Sequence, residues 1–305
     1  MRIPLKFLIS VVGLTATLAG AQEIYQEKSL YRNIIVYDDQ GLRCMKFGRH
    51  DAGRQTCISL KNPNALVLNY TRMLLGALYL KPDPQRILII GLGGGTMPSI
   101  LHKILPGANI DSVELDPSVV KVAQKFFGFS PDKNNAVFVD DGRVFVKRAQ
   151  KQGAKYDLVI LDAFDHVYVP EHMLTREYLL EVKSLLAQDG VLAANTFSAS
   201  RLYDAESATY ASVFGSFYNL KTENRVILAR NGELPAMAEI QNNAQQLEQK
   251  LSVFGTGKDW LLPLFSAEVK WPASTRILTD QYSPANLLNS GGTEERSKSL
   301  WFNLK

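Results

Sequence analysis

The chain is poor in the residue types that usually hold metals. Of its 305 residues, only two are cysteines and four are histidines. His166 and His172 fall in one loop-like segment, but no acidic or cysteine partner stands at ligand spacing beside them on a helix. We therefore interpret both as loop residues and expect no metal site.

The chain also lacks a strong excess of one charge. Its formal net charge is +4, and no block of lysine and arginine stands out. Because nucleic-acid-binding domains carry basic patches or stripes, this balance argues against a nucleic-acid partner. The length allows one large domain or two modest ones, the 46% hydrophobic content suffices for a sizeable core, and no internal repeat is evident.

The first residues contain an apolar run that is short for a membrane span. A basic start with Arg2 and Lys6 precedes an apolar stretch over residues 7–18, and small residues follow. A span needs about 20 apolar residues, whereas this order of features is typical of a secretory signal peptide. We therefore predict a signal peptide over residues 1–21 and an exported protein, periplasmic or secreted. The alternative is an uncleaved N-terminal anchor.

Cys44 and Cys57 are the two cysteines, and each lies in a strand-like segment. A turn-rich stretch over residues 49–54 joins the segments, so a hairpin could bring the two thiols together across the ladder. Disulfides form in exported proteins, and closing this loop would stabilise the fold by roughly 3 kcal/mol at best. The alternative is two unrelated buried thiols, because a register shift of one residue would turn them to opposite faces.

The order of patterns along the chain predicts an α/β fold. Residues 29–60 alternate like short strands, and Asn62–Leu80 has the three- and four-residue spacing of a helix. From Arg86 to Thr196 strand-like and helix-like segments follow one another, and a hairpin and a polar helix follow more weakly up to Leu251. This alternation is typical of a doubly wound, mostly parallel sheet, here preceded by a small antiparallel β cap. The expected divisions are a cap over 22–62, a nucleoside-binding domain over 63–290 and a polar tail over 291–305.

A glycine run follows the first strand of the alternating region. Gly91, Gly93 and Gly95 lie directly after this strand and Thr96 follows them. Glycines let the backbone approach a ligand closely, because they have no Cβ atom. The spacing is not that of a dinucleotide fold in full, so no pyrophosphate cradle is implied. Tight packing between strand and helix is the alternative explanation of the run.

Acidic residues end the next two strands. Glu114 closes its strand, where a carboxylate can accept hydrogen bonds from both ribose hydroxyls. Asp141 and Gly142 end the following strand, where a carboxylate can accept from an adenine amino group, with Asp140 as the competitor for that role. Because the carboxyl ends of parallel strands meet at one edge of a sheet, these residues predict a nucleoside site.

Asp162 and Asp165 follow the fourth strand and are the candidates for chemistry. An amine substrate arrives protonated and cannot attack until it loses that proton. A carboxylate pair can bind the cation and take the proton in a desolvated site. The alternative is that one aspartate caps a loop and the other is solvated.

The ordered set of segments YRNIIVYDD, LNYTRMLLGAL, GLGGGTMP, VELDP, VDDG and LDAFD resembles the spermidine synthase (polyamine aminopropyltransferase) family. That family lies within the broader class of S-adenosylmethionine-type (class I) methyltransferase folds, and the resemblance covers roughly residues 29–197. It implies that Tyr70 lines the substrate site, that Glu114 and Asp141 bind the nucleoside, that Asp162 takes the proton and that Asp165 binds the amine. Decarboxylated S-adenosylmethionine would be the co-substrate and a polyamine or other small amine the partner.

Two departures from the family pattern keep other functions open. Thr96 stands where the family has an aspartate for the transferred ammonium, and Arg32 stands where a neutral amide is common. Methyl transfer from S-adenosylmethionine fits Thr96 better, because a donor that keeps its carboxylate would be repelled by an aspartate there. Export favours a third reading, a non-catalytic polyamine- or nucleoside-binding protein. A homodimer is left open, and Asp280 and Tyr282 are candidates to line an amine channel.

Overall fold

A small antiparallel sheet opens the chain. The computed structural model describes residues 21–49, 53–164, 170–197 and 201–289, so most of the predicted signal peptide, the polar tail and Asp165 lie outside the described residues. Four strands in the order β1-β2-β3-β4 form the sheet. They are β1 (Gln22–Lys28), β2 (Asn33–Asp39), β3 (Leu42–Phe47) and β4 (Thr56–Ser59). The first of them precedes the segment in which the sequence pattern predicted strands.

A disulfide joins the last two strands of this cap. Cys44 on β3 lies directly opposite Cys57 on β4, and their sulfur atoms are bonded with the Cα atoms 4.1 Å apart. Both side chains are buried in the cap. The register thus turns the two thiols to the same face, and the bridge ties β4 to the rest of the cap.

The prediction of a single helix over Asn62–Leu80 is wrong. The structure forms two short helices there, α1 (Asn69–Leu74) and α2 (Ala77–Leu80), which Leu75 and Gly76 separate. A Cβ atom on Gly76 would lie 2.9 Å from the carbonyl oxygen of Met73. The apolar spacing that predicted one helix therefore arises from two short helices that are both packed into the core.

The large sheet has seven strands, in the order β10-β11-β9-β8-β5-β6-β7. They are β5 (Arg86–Ile90), β6 (Asn109–Glu114), β7 (Asn135–Val139), β8 (Tyr156–Leu161), β9 (Leu186–Thr196), β10 (Tyr218–Lys221) and β11 (Arg225–Arg230). The central pairs β9–β8, β8–β5, β5–β6 and β6–β7 are parallel, whereas β11 is antiparallel to both β9 and β10. The predicted doubly wound, mostly parallel sheet with an antiparallel cap is the observed architecture.

Helices cover both faces of the large sheet. They are α3 (Thr96–Ile104), α4 (Pro117–Phe126), α5 (Gly142–Lys151), α6 (Arg176–Leu185), α7 (Arg201–Phe214), α8 (Met237–Ser252) and α9 (Lys258–Leu261), with 3-10 turns at Glu171–Met173 and Leu262–Leu264. Alternate residues of β5 enter different apolar clusters: Ile87 and Ile89 join one, and Leu88 and Ile90 join the other. Such burial on both faces is typical of parallel sheets. In the described part of the chain, no helix is long and apolar enough to cross a membrane.

The strand order places the crevice of the sheet. β5 lies between β6 and β8, so the chain leaves β5 toward one side and later returns to pair with its other side. In open α/β sheets, ligands bind outside the carboxyl ends of the strands at this reversal. The loops after β5, β6 and β8, which carry the predicted site residues, meet there.

Candidate active site

One crevice of about 570 Å³ gathers most of the predicted site residues. Its volume is in the range of small-molecule sites. The predicted residues that line it are Tyr70, Gly91, Gly93, Thr96, Glu114, Gly142 and Asp162. They come from the loops at the carboxyl ends of β5, β6, β7 and β8 and from α1. Of the other described residues predicted for the nucleoside site, Gly95 and Asp141 do not line it.

Two glycines after β5 make room for different neighbours within the protein. Gly91 has φ +100°, and a Cβ atom there would lie 2.2 Å from the carbonyl oxygen of Asp162. Its lack of a side chain is what lets the ends of β5 and β8 meet. Gly95 has φ +72° and faces the ring of Phe129, which a Cβ atom would approach to 2.5 Å. The predicted ligand role of Gly95 is thus a packing role, the alternative explanation of the run.

Glu114 lies at the crevice wall with its carboxylate held by the backbone. Its Oε2 accepts a hydrogen bond from the N–H of Leu92 at 3.1 Å, and its Oε1 accepts one from the N–H of Asp116 at 3.0 Å. Each carboxylate oxygen can accept a further bond, so both remain able to accept from ribose hydroxyls. Burial raises the pKa of Glu114 above its ordinary value, although these two hydrogen bonds and the nearby Arg32 cation oppose the shift. The carboxylate is therefore oriented in advance for a pair of hydroxyl donors.

The two aspartates after β7 have roles that the sequence could not separate. The Oδ1 of Asp141 accepts from the N–H groups of Arg143 and Val144, both at 2.9 Å, and so caps α5. Its Oδ2 lies 3.4 Å from the Nε2 of His172. Asp140 lines the crevice and pairs with Arg148 at 2.7 Å. Asp141 therefore has only its outer oxygen left for an adenine amino group, and Asp140 is the carboxylate at the wall.

Thr96 begins α3 and faces the cap across the crevice. Its hydroxyl oxygen lies 3.2 Å from that of Thr56 on β4, next to the disulfide. The first turn of α3 holds no acidic residue, and no side chain caps it. This end of the crevice therefore offers hydroxyl groups and the N-terminus of a helix, an arrangement that favours anions over cations.

Asp162 lies at the end of β8, partly buried, with two polar neighbours. Its Oδ1 accepts a hydrogen bond from the Nδ2 of Asn195 at 2.9 Å. Burial raises the pKa of Asp162 to about 7, although hydrogen bonds from Asn195 and Tyr70 oppose the shift. The Tyr70 hydroxyl also approaches the carbonyl oxygen of Gln55, at the long distance of 3.4 Å. Near neutral pH the carboxyl group can thus both hold and release a proton, as a general base requires.

The second predicted aspartate, Asp165, and the neighbouring His166 lie outside the described residues. His172 is described and stands beside Asp141 rather than in a ligand cluster. Within the ranges that the structure describes, no group of three histidine, cysteine, aspartate or glutamate side chains is placed to hold a metal ion.

The tail residue Asp280 does not line the crevice that holds Asp162 and Glu114. Its carboxylate accepts hydrogen bonds from the guanidinium of Arg143, both at 2.7 Å, and one from the hydroxyl of Thr175. Arg143 also pairs with Glu181 at 2.8 Å. The residue before it in the sequence, Gly142, lines the crevice. Asp280 therefore anchors the C-terminal segment to α5 and α6 beside the crevice. Tyr282 packs under the guanidinium of Arg276 instead.

Several wall residues were not predicted from the sequence. The main ones are Arg54, Thr56, Asn195, Glu223 and Asn224. Asn195 had a usable signal, because it is a polar residue at the carboxyl end of β9, the same position that pointed to Glu114 and Asp162. The other four lie on the cap or on the β10–β11 turn, and no local pattern relates those segments to the carboxyl ends of the parallel strands.

Comparisons with known proteins agree with this architecture. A family model for the spermine/spermidine synthase domain matches residues 68–228. Polyamine aminopropyltransferase of Vibrio vulnificus is 46% identical over 272 residues, which cover 87% of this chain and 91% of that protein. The range matched by the family model spans the positions of the glycine run, Glu114, Asp141 and Asp162.

Solved structures show the same fold. A probable spermidine synthase from Corynebacterium glutamicum aligns with a TM-score of 0.62 and 18% identity, over 83% of this chain and 98% of that one. Human methyltransferase-like protein 13 in complex with SAH aligns with a TM-score of 0.54 and 26% identity, over 68% of this chain and 93% of that one. The large sheet is thus of the class I methyltransferase type. Because the family model matches more than half of the chain and the 46% identical relative is covered almost fully, the chain belongs to the spermine/spermidine synthase family.

Proposed function

We propose that the protein transfers an aminopropyl group from decarboxylated S-adenosylmethionine to an amine of a polyamine. The observation that carries this proposal is the environment of Asp162. It is a partly buried carboxyl group with a pKa of about 7, held by Asn195 and Tyr70 in the same crevice as Glu114. Aminopropyl transfer needs a nucleoside site and a base for an ammonium group side by side. Membership of the family and the Vibrio vulnificus relative support the same reaction.

In this reaction some crevice residues would position the substrates and Asp162 would remove the proton. Glu114 would hold the ribose, and Gly93, where a Cβ atom would have only the carbonyl oxygen of Gln55 within 4 Å, would leave room for the nucleoside. Asp162 would take the proton from the acceptor ammonium, whose nitrogen then attacks the methylene carbon next to the sulfonium of the donor. A new C–N bond forms, the C–S bond breaks, and methylthioadenosine leaves. Most of the rate gain would come from orientation and from this deprotonation.

Asp162→Asn tests the proposed base. Asparagine keeps the shape of the side chain but cannot take a proton, so we expect turnover to fall by about 10²- to 10⁴-fold. Binding of methylthioadenosine, measured by titration calorimetry, should stay within about twofold, because Asp162 is not needed to hold the nucleoside. Turnover is measured as methylthioadenosine released in the presence of 1,4-diaminobutane.

Asp157→Asn is the matched control for this test. Asp157 lies on the same strand, β8, at its opposite end, where its carboxylate accepts from the N–H groups of Gln85 and Arg86. We expect this variant to lose some stability and to keep its turnover. Turnover of the Asp162→Asn variant at the wild-type rate would show that another group is the base.

Methyl transfer from S-adenosylmethionine is the second candidate, and one end of the crevice favours it. Thr96 and Thr56 offer hydroxyl groups, and Arg32 and Arg54 also line the wall. The uncapped start of α3 lies beside them. These groups suit a donor that keeps its carboxylate better than one that carries only an ammonium. Mass spectrometry of the product decides between the reactions, since a methyl group and an aminopropyl group add different masses to the acceptor.

We also propose that the protein acts outside the cytoplasm. The apolar N-terminal pattern and the disulfide between Cys44 and Cys57 support this location, because disulfides persist in oxidising compartments. N-terminal sequencing of the protein from the periplasmic and culture fractions tests it, and a start at Gln22 is expected. An exported binding protein without turnover would give the same fraction but no methylthioadenosine. The absence of a nucleic-acid partner and the state of assembly stay predictions.

A further inference from the structure

The edge strand of the cap carries part of the crevice wall. This strand, β4, has four residues, and it pairs in the cap sheet with β3. Gln55, just before the strand, and Thr56, its first residue, both line the crevice. Cys57 follows Thr56 directly and is bonded through its sulfur atom to Cys44 on β3. The disulfide therefore lies next to the wall in the sequence and in space.

The wall residues of β4 pack on the loop after β5 and on the start of α3. The hydroxyl oxygen of Thr56 lies 3.2 Å from that of Thr96. A Cβ atom on Gly94 would lie 2.6 Å from the Cγ2 atom of Thr56. Thr56 thus sits directly on the backbone of this loop. A movement of β4 away from the loop would open the crevice beside Thr96, where the tail of a nucleoside donor is expected.

The disulfide fixes β4 to the part of the cap that is anchored on the large domain. Ile34 and Val36 of β2 and Met45 of β3 form an apolar cluster with residues of α4, and β4 adds the half-buried Ile58. A short strand at a sheet edge is weakly held by its own hydrogen bonds. The sulfur–sulfur bond therefore holds the wall residues more firmly than the strand pairing alone. Both cysteines are buried, which protects the bond from thiols in solution once the cap has folded.

We propose that the disulfide is a positioning element of the donor site, so that the crevice binds the tail of its nucleoside donor at full strength only after Cys44 and Cys57 have been oxidised. The inference rests on the proposed function for the nucleoside in the crevice. Oxidation forms the S–S bond and passes two electrons and two protons to a disulfide oxidant, and a dithiol reverses the step. The bond preorganises Thr56, and a preorganised group binds more tightly because less freedom is lost on binding.

The test compares two nucleosides on wild type and on a variant that carries both Cys44→Ala and Cys57→Ala. The probes are S-adenosylmethionine, which carries an amino-acid tail, and methylthioadenosine, which lacks it, and titration calorimetry gives both dissociation constants. We expect the affinity for S-adenosylmethionine to fall about threefold to tenfold, as for the loss of one hydrogen bond. The affinity for methylthioadenosine should stay within about twofold, because this ligand has no tail to reach Thr56.

Reduction of the wild type gives the same comparison without a substitution. Protein unfolded in urea is reduced with dithiothreitol, refolded with the reductant present, measured, and then reoxidised and measured again. Mass spectrometry after alkylation counts the free thiols at each stage. The affinity for S-adenosylmethionine should be low in the reduced protein and return on oxidation.

Thr56→Val tests whether the disulfide acts through Thr56. Valine keeps the shape of the side chain and removes the hydroxyl group. In wild type this change should weaken S-adenosylmethionine binding by a similar factor, and in the variant without the disulfide it should add little, because both changes remove the same contact. Effects that multiply would show that the disulfide does not act through this residue and would overturn the inference.

Val36→Ala is the matched control. Val36 is a fully buried residue of β2, so the change loosens the packing of the cap on α4 and leaves the disulfide in place. It should leave the ratio of the two affinities unchanged. A shift as large as that of the variant without the disulfide would overturn the inference, and so would an unchanged ratio in that variant.

Turnover with decarboxylated S-adenosylmethionine and 1,4-diaminobutane is measured separately. An affinity ratio that depends on the disulfide, in a wild type that forms no aminopropyl product, would keep the inference and refute the proposed function. A wild type that binds neither nucleoside would refute both.

Discussion

Asn195→Leu is the most direct test of how the crevice sets the state of Asp162. Asn195 is 9% exposed and donates to the Oδ1 of Asp162 at 2.9 Å. Leucine has nearly the same shape, fills the space and donates no hydrogen bond. Because this bond stabilises the ionised carboxylate, its loss must raise the pKa of Asp162 above its value of about 7.

The size of the shift follows from the strength of the lost bond. A hydrogen bond to a charged group contributes about 1.5–3 kcal/mol, and one pKa unit corresponds to about 1.4 kcal/mol. The pKa of Asp162 should therefore rise by about 1–2 units, to about 8–9. A general base works only when ionised, so activity rises with pH through this pKa. At neutral pH the ionised fraction would fall from about one half to about one tenth or less.

The assay is the pH dependence of kcat/KM for methylthioadenosine release, recorded for wild type and variant with the same acceptor. The acceptor amine titrates identically in both experiments, so the difference between the two profiles reports on the protein. We expect the acid limb to move upward by about 1–2 units, with rates that converge at high pH. An unmoved acid limb would refute the reasoning that Asp162 is the base and Asn195 its hydrogen-bond donor.

Asn243→Leu serves as the matched control. Asn243 is also 9% exposed, and its Nδ2 donates to the carbonyl oxygen of Tyr79 at the same distance of 2.9 Å, outside the crevice lining. It should lose comparable stability in urea unfolding but show the wild-type pH profile. A shift of the same size in this variant would mean that destabilisation alone moves the profile.

Two further predictions concern the donor end of the crevice and the C-terminal segment. Thr96→Asp should favour binding of the decarboxylated donor over S-adenosylmethionine by about 10- to 100-fold relative to wild type. The aspartate adds a charge-assisted hydrogen bond to the donor ammonium and repels the carboxylate of S-adenosylmethionine. An unchanged ratio of the two dissociation constants in calorimetry would mean that position 96 does not face the donor tail. Arg143→Met should lower the free energy of unfolding in urea by about 2–4 kcal/mol, since it removes the guanidinium that pairs with both Glu181 and the half-exposed Asp280. A loss below about 1 kcal/mol would show that the cluster contributes as little as a surface ion pair.

Local chemistry explains why much of the site could be predicted. The glycine run, Glu114 and Asp162 each end a buried parallel strand, and the carboxyl ends of such strands meet at one edge of the sheet whatever else the chain does. Their positions in the sequence therefore already implied a shared crevice. The start of α4 at Pro117 is local in the same way, because the proline and the capping side chain of Asp116 are neighbours in the sequence.

Other features depended on contacts between distant segments. The apolar spacing of Asn62–Leu80 is compatible with one helix or with two, and only the packing of Gly76 against Met73 and Phe265 separates them. Asp140 and Asp141 are equivalent as sequence, and only the start of α5 assigns the cap to Asp141.

The sequence by itself thus determined the doubly wound sheet and the positions of Glu114 and Asp162 at strand ends, because the hydrophobic period and the ends of strands are local properties. Only the tertiary structure decided which other side chains line the crevice with these two carboxylates. Thr56 comes from the cap, Asn195 from a strand formed later in the chain, and Glu223 from a turn, and these positions meet only because the long-range strand order brings their segments to the same edge. The spacing of these residues along the chain does not indicate that they lie close together, because their proximity depends on strand pairing between distant segments.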